Sequence, residues 1–161
     1  VQREHRNAHV VIVGGDDVSY GARPKDAKNW REKMLAEVGS QLDPTRTHFM
    51  GKLPYADYKR VLQVSSAHVY LTYPFVLSWS CLEAMATGCY VVGSDTAPVR
   101  EVLDPGAEGP RGMLVDGLKP EAVRGGLAQM PIFSQGSGDQ QLRSVAAARK
   151  YGKTFSKISM C

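Results

Sequence analysis

The sequence predicts an α/β protein with a Rossmann-like parallel sheet and helices on both faces. Short runs of β-branched and aromatic residues, typical of buried strands, alternate along the chain with segments whose apolar residues recur at helical spacing. Most of the predicted connections are short, about 2–6 residues. This alternation indicates a parallel sheet, because a helix must carry the chain back before the next parallel strand begins.

The first predicted strand and helix lie near the start of the chain. Residues 10–14 form a continuous β-branched run that ends in glycine, which predicts a strand covered on both faces. A polar loop follows, and Asp26 is predicted to cap a helix that continues to about Val38. Gly39 is expected to end this helix.

The middle of the chain continues the alternation. Thr47–Gly51 is predicted to be a strand, residues 55–65 a helix and residues 68–73 a third strand. Pro74 is expected to end that strand, because proline cannot donate to the ladder.

The next helix is predicted over residues 81–87, with Gly88 as its C-cap, and leads into a strand at Tyr90–Ser94. Pro98 suits the first turn of a short helix. A last strand is predicted over residues 113–116, followed by helices over residues 120–130 and 140–151.

The domain prediction is one Rossmann-like lobe over residues 1–133 and a linker with a basic C-terminal helix over residues 134–161. The chain opens with valine just before a strand, so we expect a fragment of a longer protein. The basic helix has two interpretations, a solvated surface or a peripheral contact with an acidic membrane. Its basic residues are Arg143, Arg149, Lys150, Lys153 and Lys157.

The amino-acid composition limits which binding partners and which cellular compartment we expect. The net charge of +4 is modest, and no aromatic-interleaved basic stripe supports a nucleic-acid partner. Three cysteines without CxxC spacing argue against a disulfide framework or a zinc site, and the four histidines are too scattered for a metal site. The apolar runs are far shorter than the ~20 residues that span a bilayer. We therefore expect a cytoplasmic location, with the inner face of the membrane as the peripheral alternative.

The ends of the predicted strands suggest where a ligand binds. In a parallel sheet of this kind, ligands bind at the carboxyl ends of the strands. The prediction places residues 14–17, 51–54, 73–80 and 94–101 on one rim.

The junction at residues 77–83 is the most informative part of that rim. The first amides of a helix have no intrahelical partner and attract phosphate, and Glu83 lies about one turn into the predicted helix. A carboxylate there can accept hydrogen bonds from the vicinal hydroxyls of a ribose. Ser80 and Glu83 also match a capping box, in which the glutamate reaches back to the N-cap amide. Both roles remain open, and they are compatible.

Several stretches together resemble one known family. Residues 82–94 (LEAMATGCYVVGS), 97–101 (APVRE) and 112–115 (GMLV) are similar to the C-terminal, donor-binding lobe of family-4 glycosyltransferases. Residues 11–15 and 48–53 match upstream parts in the right order, so the resemblance covers roughly residues 9–130. It implies a two-lobed GT-B fold and transfer of a sugar from a UDP- or GDP-sugar to an acceptor, with retention of configuration and no metal or other cofactor.

The resemblance also implies roles for individual residues. Glu83 corresponds to the glutamate that binds the donor ribose, whereas Phe75 stands where the family has its sugar-contacting glutamate and cannot replace that carboxylate. The backbone of Leu77, Ser78 and Trp79 corresponds to the phosphate contacts. Gly51, Lys52 and Leu53 correspond to the nucleobase contacts, and Gly14, Gly15, Asp16 and Glu101 to the lining of the cleft. Ordinary turns, caps or packing are the alternatives for these positions.

The resemblance implies that the acceptor-binding N-terminal lobe and a cationic pair for the leaving diphosphate lie upstream of this chain. Metal-free departure of a diphosphate needs fixed charges, so we expect weak nucleotide binding and no sugar transfer by the chain alone. Two alternatives remain open: a non-catalytic binding or assembly module that kept the fold, and a sugar-nucleotide epimerase on the same scaffold.

Overall fold

A computed structural model describes residues 2–3, 5–16, 18, 21–72, 76–104, 106 and 111–129 of the chain. Phe75, the predicted helix over residues 140–151 and the whole predicted C-terminal segment 134–161 lie outside the described residues. The chain divides into two compact units, Val1–Tyr58 and Lys59–Cys161. The division of the chain at residue 133 stays a prediction.

The first unit is built on two parallel strands and a helix. Strands β1 (Val10–Val13) and β2 (Thr47–Gly51) pair in parallel. Between them along the chain lie helix α1 (Trp30–Val38) and a 3₁₀ turn (Gly39–Gln41). Strand β2 has the predicted bounds.

The predicted N-cap of α1 at Asp26 is wrong. Asn29 is the N-cap, and its side-chain oxygen accepts a hydrogen bond of 2.8 Å from the Glu32 amide. Asp26 instead forms an ion pair of 2.8 Å with Lys33. Gly39 has φ −57°, so α1 tightens into the 3₁₀ turn instead of stopping at a left-handed glycine.

The second unit has a three-stranded parallel sheet with the order β3-β4-β5. The strands are β3 (Ala67–Tyr70), β4 (Tyr90–Ser94) and β5 (Gly112–Val115). The helices after them are α3 (Trp79–Ala86), α4 (Ala97–Leu103) and α5 (Pro120–Ala128). Helix α2 (Tyr55–Val64) contains the boundary between the two units.

Two parallel sheets replace the single sheet that the sequence predicts. Strand β3 ends at Tyr70, and α3 begins at Trp79, two residues before its predicted start. Gly88 has φ +86° and follows the C-cap residue Thr87, as the predicted helix stop requires.

The central strand of the second unit, β4, is apolar at consecutive positions because both of its faces are buried. Val91 and Val92 are consecutive residues on β4, and both are fully buried. Successive side chains of a strand point to opposite faces, so both faces of this sheet are covered. Gly93 is required by packing, because a Cβ there would lie 2.9 Å from side-chain atoms of Leu103 and Val99. The α/β class with helices on both faces is thus confirmed.

Candidate functional site

The N-terminus of α3 is fixed to the end of β3 by a buried tyrosine. Ser78 is the N-cap, with an extended backbone, and its hydroxyl accepts a hydrogen bond of 3.3 Å from the Ser80 amide. The hydroxyl of Tyr70, the last residue of β3, accepts a hydrogen bond of 2.8 Å from the Ser78 amide. The start of the helix is therefore held at the carboxyl edge of the sheet.

This anchoring occupies one of the backbone amides that were predicted to bind phosphate. The Ser78 amide already donates to Tyr70, so a phosphate there would have to displace a tyrosine hydroxyl. Within the described part of the chain, the Leu77 amide has no hydrogen-bond partner. Trp79, the first residue of the helix, is 52% exposed.

The capping-box interpretation of Glu83 is wrong. Because Ser78 and not Ser80 is the N-cap, Glu83 is the fifth residue of α3 and lies beyond the position that reaches back to the cap. Its side chain is half-buried, and among the described residues its carboxylate has no hydrogen-bond or ion-pair partner. The structure thus leaves this carboxylate available to accept hydrogen bonds from a ligand.

A pocket of about 570 Å³ opens where the three strands of the second unit end. We call it the strand-end pocket. It is lined by Leu71, Thr72, Ser94, Asp95, Thr96, Asp116, Gly117 and Leu118. Of this lining, the sequence placed only residues 94–96 on the predicted rim, and it assigned no role to these side chains. Their positions in the sequence could have indicated the pocket, because each of these residues ends a strand or closely follows one.

The two carboxylates of the strand-end pocket are both paired with cations. Asp95 forms an ion pair with Arg100, and Asp116 forms one of 3.1 Å with Lys119. Hydrogen bonds from Lys119 and from the Leu118 amide lower the pKa of Asp116 below its ordinary value. Asp116 is therefore ionised near neutral pH.

The hydroxyl groups of Ser94 and Thr96, which also line the pocket, differ in their hydrogen bonding. The Ser94 hydroxyl is buried and accepts a hydrogen bond of 2.9 Å from the Thr72 amide. Thr96 is the N-cap of α4, yet its side chain makes no capping bond. Its Oγ1 is buried without a hydrogen-bond partner in the described structure. Glu101, predicted to line a cleft, is exposed on α4 and does not line this pocket.

The first unit contains a separate, mainly apolar cleft of about 500 Å³. Its lining includes Gly14, Gly15, Asp16 and Gly51 from the predicted ligand segments, together with one face of α1. Gly14 and Gly51 have φ of +148° and +65°, backbone conformations that favour glycine. The structure therefore brings most of the predicted residues of this unit into one cleft.

Side-chain contacts further define this cleft. Asp16 forms an ion pair of 3.2 Å with Arg31, whose guanidinium lies 4.2 Å from the centre of the Phe49 ring. The Lys52 side chain lies over Gly15, where a Cβ would be 2.5 Å from its Cε. Leu53 is half-buried and does not line the cleft.

The described ranges contain neither a cluster of metal-ligating side chains nor a membrane-spanning helix. There, no three side chains of His, Cys, Asp or Glu lie close enough together to hold a metal ion. No helix among these residues is both long enough and apolar enough to cross a bilayer.

Comparison with known proteins identifies the family. The model of the family described as glycosyl transferases group 1 matches residues 1–130. The chain belongs to this family. The glycosyl transferases group 1 assignment agrees with the resemblance seen in the sequence. No curated protein matches the chain significantly.

Solved structures show the same fold. HepE from Anabaena, in complex with UDP, has a TM-score of 0.64 at 17% identity and aligns with 93% of this chain and 41% of its own. Sucrose-phosphate synthase from Thermosynechococcus elongatus has a TM-score of 0.59 at 20% identity, over 92% of this chain and 38% of its own. Starch synthase IV from Arabidopsis thaliana, bound to ADP and acarbose, has a TM-score of 0.53 at 10% identity, over 78% of this chain and 29% of its own. This chain thus spans about two fifths or less of these proteins.

Proposed function

We propose that this member of the glycosyl transferases group 1 family is the C-terminal, donor-binding lobe of a family-4, retaining, metal-independent glycosyltransferase, and that it binds a nucleoside-diphosphate sugar. The observation that carries the proposal is the Glu83 carboxylate, half-buried and without a partner among the described residues, on a helix anchored to the edge of a parallel sheet. Family membership supports it, as do structures of the same fold in complex with UDP, UDP-glucose and ADP.

The chemistry of α3 fits such a ligand in two places. The positive end of the helix dipole favours the diphosphate near residues 77–79. Glu83 lies four residues beyond Trp79, a rise of about 6 Å along the helix. That spacing separates the carboxylate from the anionic diphosphate and leaves it to accept hydrogen bonds from the neutral ribose.

The other assignments extend the proposal. Gly51, Lys52 and Leu53 are proposed to contact uracil or guanine through their backbone, and Gly14, Gly15, Asp16 and Glu101 to line the donor cleft. These roles rest on the resemblance. Because the chain spans about two fifths of HepE and sucrose-phosphate synthase, we propose that sugar transfer also requires an acceptor-binding lobe. A cytoplasmic location, with peripheral membrane contact as its variant, belongs to the same proposal.

The decisive experiment asks whether Glu83 recognises the ribose hydroxyls. Calorimetry would compare UDP with 2′-deoxy-UDP, and GDP with 2′-deoxy-GDP, for the wild-type chain and Glu83→Gln. Each hydrogen bond to a charged group contributes about 1.5–3 kcal/mol, so the wild type should prefer the ribonucleotide about tenfold or more. Glu83→Gln should bind more weakly and lose most of this preference.

Glu121→Gln is the matched control, because Glu121 is an exposed glutamate in the first turn of α5. It should bind like the wild type. If Glu83→Gln kept the full preference for the ribonucleotide, Glu83 would not hold the ribose. If no nucleotide bound at millimolar concentration, the donor-lobe proposal would be lost.

A non-catalytic binding module is the second candidate, and Phe75 favours it, because it replaces the family's sugar-contacting carboxylate. The two candidates separate when the chain is supplied with an acceptor-binding lobe. A transferase would then form a glycoside with the anomeric configuration of its donor, in the presence of EDTA. A module would bind nucleotide and form no product.

A further inference from the structure

We infer that Tyr70 is a positioning residue for nucleotide binding: its hydroxyl holds the start of α3 in the place where the helix receives the diphosphate of the donor. In this role Tyr70 acts through Ser78 and does not itself touch the ligand. The inference rests on the proposed function and deepens it, because it names the side chain that fixes the phosphate-binding backbone to the sheet. The family resemblance implies no role for Tyr70.

Tyr70 is itself held firmly in the second unit. It is the last residue of β3, it is only 8% exposed, and it pairs with Gly93 on the central strand β4. The ring of His68, two residues earlier and therefore on the same face of β3, is centred 6.4 Å from the tyrosine ring and inclined to it by 21°. Packing on this scale leaves a buried ring few other positions, so the tyrosine hydroxyl is a fixed hydrogen-bond acceptor.

The hydroxyl fixes the backbone exactly where α3 begins. It accepts a hydrogen bond of 2.8 Å from the amide of Ser78, the N-cap residue, across eight positions of the chain. The N-cap sets where the helix axis starts, and with it the positive end of the helix dipole. The bond therefore keeps the Ser78 amide within the protein. The neighbouring Leu77 amide, which has no partner among the described residues, is left to donate to a phosphate oxygen.

Other hydrogen bonds of Ser78 do not tie the turn to the sheet. Its hydroxyl bonds the amide and the hydroxyl of Ser80 at 3.3 and 3.1 Å, and its carbonyl accepts from the Cys81 amide at 3.2 Å. These bonds shape the first turn of α3 but move with it. Donors that are already in place bind an anion better than donors that must first be ordered, because ordering costs binding free energy. The bond to Tyr70 supplies this order.

The chemistry of a phenol suits an anchor next to an anion. A phenol hydroxyl accepts a hydrogen bond without the negative charge of a carboxylate. An aspartate or glutamate in the same place could also hold the Ser78 amide, but its charge would repel a diphosphate a few ångströms away. Tyrosine therefore anchors the turn and leaves the positive end of α3 to the ligand.

The test removes only the hydroxyl, in Tyr70→Phe. Calorimetry would measure the affinity for UDP and GDP, and an NMR titration would measure that for uridine and guanosine. Affinity for the diphosphate that the wild type binds should fall about two- to tenfold, since one neutral hydrogen bond is lost. Affinity for the corresponding nucleoside should not change, because it carries no phosphate. A general loosening of the fold would weaken both ligands alike.

Tyr90→Phe is the matched control. Tyr90 lies on β4, is half-buried, and its hydroxyl has no hydrogen-bond partner among the described residues. This variant should bind diphosphate and nucleoside like the wild type. Hydrogen exchange of the Ser78 amide reports on the anchor without any ligand, and it should become faster in Tyr70→Phe and stay unchanged in Tyr90→Phe.

Three results would overturn the role of Tyr70. The first is an unchanged affinity of Tyr70→Phe for the diphosphate. The second is a higher affinity, which would show that the hydroxyl competes with phosphate for the Ser78 amide. The third is an equal loss for nucleoside and diphosphate. Each of these results, with normal binding by the wild type, refutes this inference alone. If the wild type bound neither UDP nor GDP, the proposed function would fail with it.

Discussion

The two adjacent glycines of α5 provide a stability prediction whose magnitude follows from the packing. At Gly125, a Cβ would find no atom within 4 Å. At Gly126, a Cβ would lie 2.8 Å from Val115 Cγ1, 3.1 Å from Val92 Cγ1 and 3.2 Å from Met113 Sδ. Carbon atoms pack best at about 3.5–4.0 Å, so alanine at position 126 must push α5 away from the sheet or rearrange three side chains.

The expected free energies follow from two terms. Alanine is favoured over glycine inside a helix by about 0.8–1 kcal/mol, and both substitutions gain this amount. Overpacking costs about 1–3 kcal/mol and applies only to Gly126→Ala. Gly125→Ala should therefore be more stable than the wild type by up to about 1 kcal/mol. Gly126→Ala should be less stable than Gly125→Ala by about 1–3 kcal/mol.

Urea unfolding followed by tryptophan fluorescence would measure this difference. The background would carry Trp30→Phe, so that Trp79 reports only on the second unit. The slope of the unfolding free energy against urea should stay constant across the three proteins, which shows that only stability has changed. Equal stability of the two alanine variants would refute the assigned contacts between α5 and the sheet.

Two further predictions concern buried titratable groups. Burial lowers the pKa of His68 below 6.5, so the unfolded state binds more protons and stability should fall as the pH drops from 7 to 5; His68→Phe should flatten this part of the melting-temperature profile. Burial raises the pKa of Cys81 to about 12 and that of Cys89 above its usual range, and both thiols are fully buried. In a Cys161→Ser background, a thiol reagent should modify neither cysteine in the native protein and both in urea, and rapid native labelling would contradict the packing around α3.

Local sequence patterns predicted most elements of this fold. The bounds of β2 and β4 were correct, because each strand is a short run with a glycine near its carboxyl end and a polar residue or proline soon after it. Proline predicted the first turn of α5 because its fixed φ suits that position, and Gly88 predicted the end of α3 because glycine readily adopts the positive φ found there. The family also emerged from sequence, because its motif spans a long stretch in order.

Helix starts were less predictable, because several residues competed for the same role. Asp26 and Asn29 can both cap a helix, as can Ser78 and Ser80. Packing chose between the two serines: the Tyr70 hydroxyl holds the Ser78 amide at the end of β3, and the helix begins directly after it. Because the helix begins after Ser78, Glu83 does not occupy the capping-box position. Its carboxylate therefore does not cap the helix.

The sequence by itself determined the α/β class and the family, because both depend on patterns between neighbouring residues. Only the tertiary structure decided that the described strands pair as two sheets and that Thr96 Oγ1 is buried without a hydrogen-bond partner among the described residues. It alone produced the strand-end pocket, whose walls come from residues 71–72, 94–96 and 116–118. Parallel pairing brings these distant segments to one edge, and no local pattern encodes which strands will pair.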